Sequence, residues 1–233
     1  MAAREGDEAI LKLLLETNPE LMMTTSNNGR TPLHTACLQG QISAVKIMKN
    51  SAALLRSKDS CGAIPVLEAV RGGHALIVDL MIEADPSTIY EADVMKRNAL
   101  HVAAHSGHVE IVQTLVNKHG MNPNDSSKTS SPLHWAAKEG QLQTVLALIE
   151  LGSNPGALDA CQRSPLALAI GGQHVETARA LMKYDRLAPF DVTLLPLAHS
   201  EAMRKMLMET FQSLWDITLF LPSPFPHSDA PEH

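Results

Sequence analysis

One motif, written five times at a nearly constant interval, restricts this chain to a narrow set of folds. Arg30-Thr31-Pro32-Leu33-His34-Thr35-Ala36-Cys37-Leu38-Gln39-Gly40-Gln41 returns as Asn98-Ala99-Leu100-His101-Val102-Ala103-Ala104-His105-Ser106-Gly107-His108. It returns again as Ser131-Pro132-Leu133-His134-Trp135-Ala136-Ala137-Lys138-Glu139-Gly140-Gln141. Weaker copies run from Ile64-Pro65-Val66-Leu67-Glu68-Ala69 to Gly73-His74, and from Ser164-Pro165-Leu166-Ala167-Leu168-Ala169 to His174. The copies begin at positions 31, 64, 98, 131 and 164, so the intervals are 33, 34, 33 and 33 residues. Such a period marks an array of small units, none able to cover its own apolar face. Stacking is then obligatory, and the 233 residues form one continuous stack.

Each copy carries the same local instructions. Thr31, Ser131 and Ser164 suit an N-cap, where a hydroxyl takes up an orphan backbone amide. Pro32, Pro132 and Pro165 follow at the first helical position, which needs no amide hydrogen. Leu33 and Ala36 face the neighbouring helix, with alanine where backbones come close. Gly40, Gly73, Gly107 and Gly140 end this first helix in a left-handed conformation. In the last copy Gln173 takes that place and Gly172 stands one residue earlier, which predicts a shifted turn. Second helices follow with a clear apolar stripe, as in Ile42, Val45, Ile47 and Met48, or Val109, Ile111, Val112 and Leu115. Gly120-Met121-Asn122-Pro123-Asn124 and Gly152-Ser153-Asn154-Pro155 read as the turns after them. Ser26-Asn27-Asn28-Gly29 and Asp59-Ser60-Cys61-Gly62 read as projecting hairpin tips.

The two ends differ from the middle. Residues 2 to 21 form a repeat that starts late: Arg4-Glu5-Gly6-Asp7 matches the end of a first helix and its turn, without a Thr-Pro opening. The expectation is either a short cap or a piece of a longer array, with an apolar edge that frays. Beyond Tyr184 lie Phe190, Phe211, Trp215, Phe220 and Phe225. Leu194 to His199 is a degenerate repeat start, and Glu201 to Leu214 reads as an amphipathic capping helix with Met203, Met206, Leu207 and Phe211. The Pro/Ser/His-rich end from Pro222 is expected to be disordered.

Composition excludes several classes. A net charge of −6 argues against a general nucleic-acid binder. Aromatics are only 3% of the chain, which suits thin, closely packed helix pairs. Cys37, Cys61 and Cys161 show no pairing pattern, so a reducing compartment is expected. The N-terminus has no apolar signal region and no run approaches a membrane span, which points to a soluble protein of the cytoplasm or nucleus. His34, His101 and His134 sit one per repeat, displaced by roughly 8–10 Å per helix layer, and cannot converge on one zinc whose ligands lie about 2 Å away. No phosphate loop, His-Glu-x-x-His, Gly-x-Ser-x-Gly or paired-cysteine signature is present. The reading is therefore not an enzyme, with no cofactor and no metal.

The Thr-Pro-Leu-His-x-Ala core with its following glycine resembles the ankyrin repeat. The resemblance implies an all-α solenoid of helix-turn-helix units with projecting hairpin loops, covering roughly residues 2 to 183. It divides the chain into a truncated repeat at 2–26, repeats at 27–58, 59–92, 93–125, 126–158 and 159–190, capping helices at 191–221, and a tail at 222–233. It also implies that the histidines bond backbone between repeats. Trp135, whose repeat-mates are Thr35, Glu68, Val102 and Leu168, reads as a half-buried packing residue.

In this family partners meet the hairpin tips and the two residues before the helix-ending glycine. That places Arg30, Leu38, Gln39, Arg71, Arg97, His105, Lys128, Lys138, Glu139 and Arg163 on one concave face. Arg30, Arg71, Arg97, Lys128, Lys138 and Arg163 suggest a basic groove for an acidic protein surface. The function implied is a protein-interaction module, monomeric, acting as adaptor or modulator of a partner, without direct nucleic-acid or membrane contact. Within the family, Arg4-Glu5-Gly6-Asp7, Arg30 to Ala36, Asp59-Ser60-Cys61-Gly62 and Ala137-Lys138-Glu139-Gly140 are most similar to the C-terminal repeats of a member that partners alanyl-tRNA synthetase and limits serine mischarging. Two alternatives stay open. One is a covalent acceptor of misactivated amino acid through lysine, which needs a lysine of lowered pKa beside an adenylate. The other is a generic scaffold unrelated to translation.

Overall fold

Proline-led helix starts recur down the chain in a computed structural model that describes residues 2–126, 130–184 and 192–219. Helices come in short antiparallel pairs: α1 (Ala2–Glu5) with α2 (Glu8–Thr17), α3 (Pro32–Leu38) with α4 (Ile42–Met48), and then a single turn, α5 (Ala52–Leu55). They continue as α6 (Pro65–Gly72) with α7 (Ala75–Ala84), α8 (Ala99–Ser106) with α9 (Val109–Asn117), and α10 (Pro132–Lys138) with α11 (Leu142–Glu150). The last pair, α12 (Pro165–Gly171) and α13 (Val175–Tyr184), is closed by α14 (Glu201–Leu219). Among the described residues every regular element is helical and none is a strand.

First helices stack into an inner row, α3 on α6, α6 on α8, α8 on α10 and α10 on α12. Second helices form an outer row in which α2 meets α4, α4 meets α7, α9 meets α11 and α11 meets α13. The core runs between the rows. Ala36, Ala69, Ala103, Ala136 and Ala169 hold one repeat position and are all 0% exposed, as are Leu33, Val66, Leu100, Leu133 and Leu166 three residues earlier. The alanines let inner backbones approach, and the larger residues fill the space between rows.

Capping follows the sequence pattern. The Thr31 hydroxyl accepts from the His34 amide at 3.5 Å, and the Ser164 hydroxyl from the Ala167 amide at 3.2 Å. Asn98, in the copy that lacks proline, does the same through its side-chain oxygen to the Leu100 and His101 amides. His34 Nε2 donates across the stack to the Ala63 carbonyl at 3.0 Å, and His134 Nε2 to the Arg163 carbonyl at 3.1 Å. With Nε2 protonated, Nδ1 of each ring accepts from the backbone amide of Thr31 or Ser131, both at 3.2 Å. Burial holds both rings below the ordinary histidine range, although the carbonyls oppose it.

Two local expectations are corrected, and one kind of turn is added to them. The turn after α12 is not shifted: Gln173 itself takes the left-handed conformation at φ 60°, while the described Gly172 does not. Its side chain offsets the cost, with Nε2 donating to the Ile170 and Leu197 carbonyls and Oε1 accepting from the Ser200 amide. The segments after α2 and α7 are 3-10 turns at Pro19–Met23 and Pro86–Tyr90. Asn18 and Asp85 cap them, so an Asx-Pro pair starts a new turn at once. The closing helix runs on to Leu219, and Leu194 to Leu197 belong to a 3-10 turn. Met203, Met206 and Leu207 of α14 are buried as their spacing predicts. Phe190, Phe220, Phe225 and the tail lie outside the described residues.

The first pair is the least covered. Ile10, Leu13, Leu14 and Met23 are 49%, 61%, 40% and 49% exposed. A cavity of about 330 Å³, lined by Ala2, Leu11, Leu15, Met22 and Met48 among others, opens beside them.

Candidate functional site

The candidate positions fall at the last turns of the inner helices and at the hairpin tips between repeats. A hydrogen-bond ladder fixes the helix ends. His74 Nε2 donates to the Leu38 carbonyl at 3.1 Å, His108 Nε2 to Arg71 at 3.0 Å, Gln141 Nε2 to His105 at 3.3 Å, and His174 Nε2 to Lys138 at 3.0 Å. Gln41 begins the series on the Arg4 carbonyl at 3.0 Å. Histidine and glutamine are interchangeable in this place because each offers an N–H donor at the same reach. Every acceptor is the residue two before a helix-ending glycine, so the ladder grips the backbone of the groove positions themselves.

The tips are built on aspartates. Asp93 Oδ1 accepts from the amides of Met95 and Arg97, while its Oδ2 takes Arg97 Nε at 2.9 Å and Nη2 at 2.7 Å. Asp159 repeats this with the amides of Cys161 and Arg163 and with Arg163 Nε at 3.0 Å and Nη2 at 2.8 Å. Burial alone would raise the Asp159 carboxyl, but the Arg163 and Cys161 amides and the guanidinium outweigh it and hold it low. Asp59 accepts from the Cys61 and Ala63 amides, and its second oxygen meets Arg30 Nε of the preceding repeat at 3.3 Å. Adjacent tips are joined by Ser60 N to Asn28 O and by Val94 N to Cys61 O, both at 3.0 Å. Aspartate followed four residues later by arginine is thus a latch that closes the tip.

The predicted basic face therefore has its negative charge underneath. Arg30 Nη2 lies 3.0 Å from Glu68 Oε2, and Arg71 Nη1 pairs with Glu68 Oε1. The Glu68 side chain is 0% exposed, between two arginines 29% and 32% exposed. Arg30, Arg71, Arg97 and Arg163 are all paired with carboxylates. Leu38 is half-buried and Gln39 exposed at the end of α3. Lys128 lies outside the described residues.

One cluster stands apart. Trp135 is half-buried on α10, and two cations lie over its ring, Arg97 at 5.2 Å and Lys138 at 5.1 Å from the centroid. The His105 ring meets it edge-on, 5.6 Å away with planes at 88°. Glu139 Oε1 lies 3.5 Å from His105 Nδ1, too far for a hydrogen bond, and that nitrogen is buried without a partner. Three of the predicted contact residues, Arg97, His105 and Lys138, therefore converge on the tryptophan that sequence reading took as a half-buried packing residue, with Glu139 beside His105. The signal that could have found it is the aromatic at a groove-facing repeat position with lysine three residues on, one face of the same helix.

Among the described residues no group of three or more His, Cys, Asp or Glu side chains could hold a metal, and no helix is long and apolar enough to cross a membrane. Cys37 is buried, which drives its thiol far up, whereas Cys61 and Cys161 are exposed and unpaired.

Comparison with known proteins agrees with this architecture. The family model for ankyrin repeats, in blocks of three copies, matches residues 1–89, 66–159 and 133–208. The Ankyrin repeat and KH domain-containing protein mask-1 of Caenorhabditis elegans is 28% identical over 169 residues, 72% of this chain but 6% of that protein. Transient receptor potential cation channel subfamily A member 1 of Drosophila melanogaster is 33% identical over 169 residues, 70% of this chain and 14% of the channel subunit. The chain thus spans a small part of either relative. In structure it is similar to the crystal structure of the human ASB11 ankyrin repeat domain, with TM-score 0.75 and 24% identity over 90% of this chain and 95% of that one. By its repeats and its stacked helix pairs, the chain belongs to the ankyrin-repeat family.

Proposed function

We propose that this protein is an adaptor or modulator that grips a partner protein along its inner-helix face, acting as a monomer in the cytoplasm or nucleus. Ankyrin repeats indicate a protein–protein interaction module; the Trp135 cluster carries the rest of the reading. A tryptophan left half-exposed amid arginine, lysine and histidine has the composition of a binding hot spot, where aromatic and arginine side chains dominate. His105, Lys138, Glu139 and Arg97 form its centre. Leu38, Gln39, Arg71 and Arg30 extend the surface toward the N-terminus, with Arg163 and, by position, Lys128 toward the C-terminus.

The specific form of the reading is a cofactor of alanyl-tRNA synthetase that limits serine mischarging. It rests on the resemblance of Arg4 to Asp7, Arg30 to Ala36, Asp59 to Gly62 and Ala137 to Gly140 to the C-terminal repeats of ankyrin repeat domain-containing protein 16. The test is direct binding of purified alanyl-tRNA synthetase to the immobilised chain. Retention by the unmodified chain, weakened by about 2 kcal/mol or more in Trp135→Ala, supports both the groove and the synthetase. Failure of the synthetase to bind, with another protein held through Trp135, keeps the groove and discards the fidelity role. Capture indifferent to Trp135 would remove the groove.

A further inference from the structure

We propose that the Trp135 cluster is an acid-selective anchor, seating a partner's glutamate or aspartate side chain against Lys138 and Arg97, and that this docking takes up a proton at His105. The proposal rests on the groove reading above and names the chemistry of its partner.

The vertical order of charge carries the first half. Asp93 and Glu68 have side chains 1% and 0% exposed, so the carboxylates lie deeper than the cations they fix, Arg71 at 32% and Arg97, mostly covered, at 13%. Lys138 is exposed, stands over the Trp135 ring, and has no carboxylate in ion-pair range among the described residues. A carboxylate arriving there meets a fixed guanidinium, an ammonium and a flat apolar surface that covers its aliphatic stem and excludes water. Elsewhere the chain, at net charge −6, repels an acidic segment, so complementarity is local and sets register as well as affinity.

The proton follows from what surrounds His105. From its own helix α8 the ring faces Trp135, Lys138 and Glu139 at the end of α10, Arg97 at the hairpin tip before α8, and Arg71 at the end of α6. Burial first, then Arg97, Lys138 and Arg71, hold the imidazole below its ordinary range, against the pull of Glu139. A partner carboxylate over Lys138 and Arg97 cancels the repulsion of those cations and adds its own pull to that of Glu139, against burial and Arg71. The ring then takes one proton from solvent and donates from Nδ1 to Glu139, satisfying the nitrogen that lacks a partner in the free protein. The sign is fixed by linkage: a group whose pKa rises on binding makes the complex tighter as pH falls toward and below that raised value.

The experiment uses labelled oligoglutamate, oligolysine and oligoserine peptides in fluorescence anisotropy with the full chain at low salt, from about pH 5.5 to about pH 8, above glutamate's own titration. Oligoglutamate alone should bind, and a tenfold tightening across the range corresponds to a rise of about one in the His105 pKa. Lys138→Glu should abolish binding. His105→Asn should lose the pH dependence, read as the ratio of its own affinities at the two ends of the range and so independent of any change in its affinity. Calorimetry in buffers of different ionisation enthalpy should register proton uptake in the unmodified chain only. Preference for oligolysine, no binding of oligoglutamate, indifference to Lys138→Glu, or pH dependence surviving in His105→Asn each overturns the proposal. If the synthetase is held through Trp135 while oligoglutamate is not bound, the groove reading stands and the acid anchor falls.

Discussion

At Gly73 the backbone sits at φ 78°, and an added Cβ would stand 2.7 Å from a carbon of the His108 ring. Alanine there must hold a left-handed conformation and displace a rung of the ladder, so Gly73→Ala should lose about 1–3 kcal/mol in urea titration. Gly171 ends α12 with ordinary dihedrals and open space around it, and Gly171→Ala should gain about 0.5–1 kcal/mol. The residue scale also sets the response to acid. His34 and His134 are buried with depressed pKa values, so the unfolded chain binds protons that the folded one refuses. Their contribution is complete above about pH 6.5 and is lost as pH falls through the folded values. Stability measured at about pH 7 and about pH 5 should differ, and the difference should shrink in His34→Gln. Asp159 adds its loss at lower pH, because its folded pKa lies below the ordinary carboxylate range.

Among elements, the inner helices raise the question of why one carries a buried glutamate. Glu68 occupies the position held by Thr35, Val102, Trp135 and Leu168 in its neighbours, and its carboxylate is enclosed between Arg30 and Arg71. Removing one partner of a buried ion pair leaves the other charges uncompensated, although Leu168 shows that leucine fits this place. Glu68→Leu, which strips Arg30 and Arg71 of their shared carboxylate, should therefore lower thermal stability, and Glu68→Ala, which leaves a cavity as well, should lower it further. Helix starts and ends were legible at this scale, because Thr31, Ser164 and Gly73 act through contacts within a few residues of themselves. The aspartate latches were not, although Asp93 and Arg97 stand four apart in plain view. A charge that serves a partner and one that serves its own loop are the same letter, and only the geometry of Asp93 Oδ2 separates them. Trp135 is half-buried as its repeat position predicts, but its company was not legible for the opposite reason: it comes from Arg97 and His105, in the preceding tip and repeat.

Across the whole molecule, stability is shared between neighbours, and the first pair has a neighbour on one side only in this structure. Ile10 and Leu13 face outward there, so hydrogen exchange should be faster over residues 2 to 23 than in α6, α8 and α10. Equal protection along the stack would refute this. The four intervals of 33 or 34 residues made the stack legible from the sequence; the direction of each exposed side chain required coordinates. The ladder from Gln41 to His174 has one more consequence. Each rung ties the start of an outer helix to the carbonyl of a groove residue, Leu38, Arg71, His105 or Lys138, one repeat earlier. Stretching the chain from its two ends would strain those rungs and carry these side chains apart in the same movement. A partner held along that face, as proposed above, should therefore be released more readily from a stretched chain than from a slack one, which pulling on the two ends in the bound state would read.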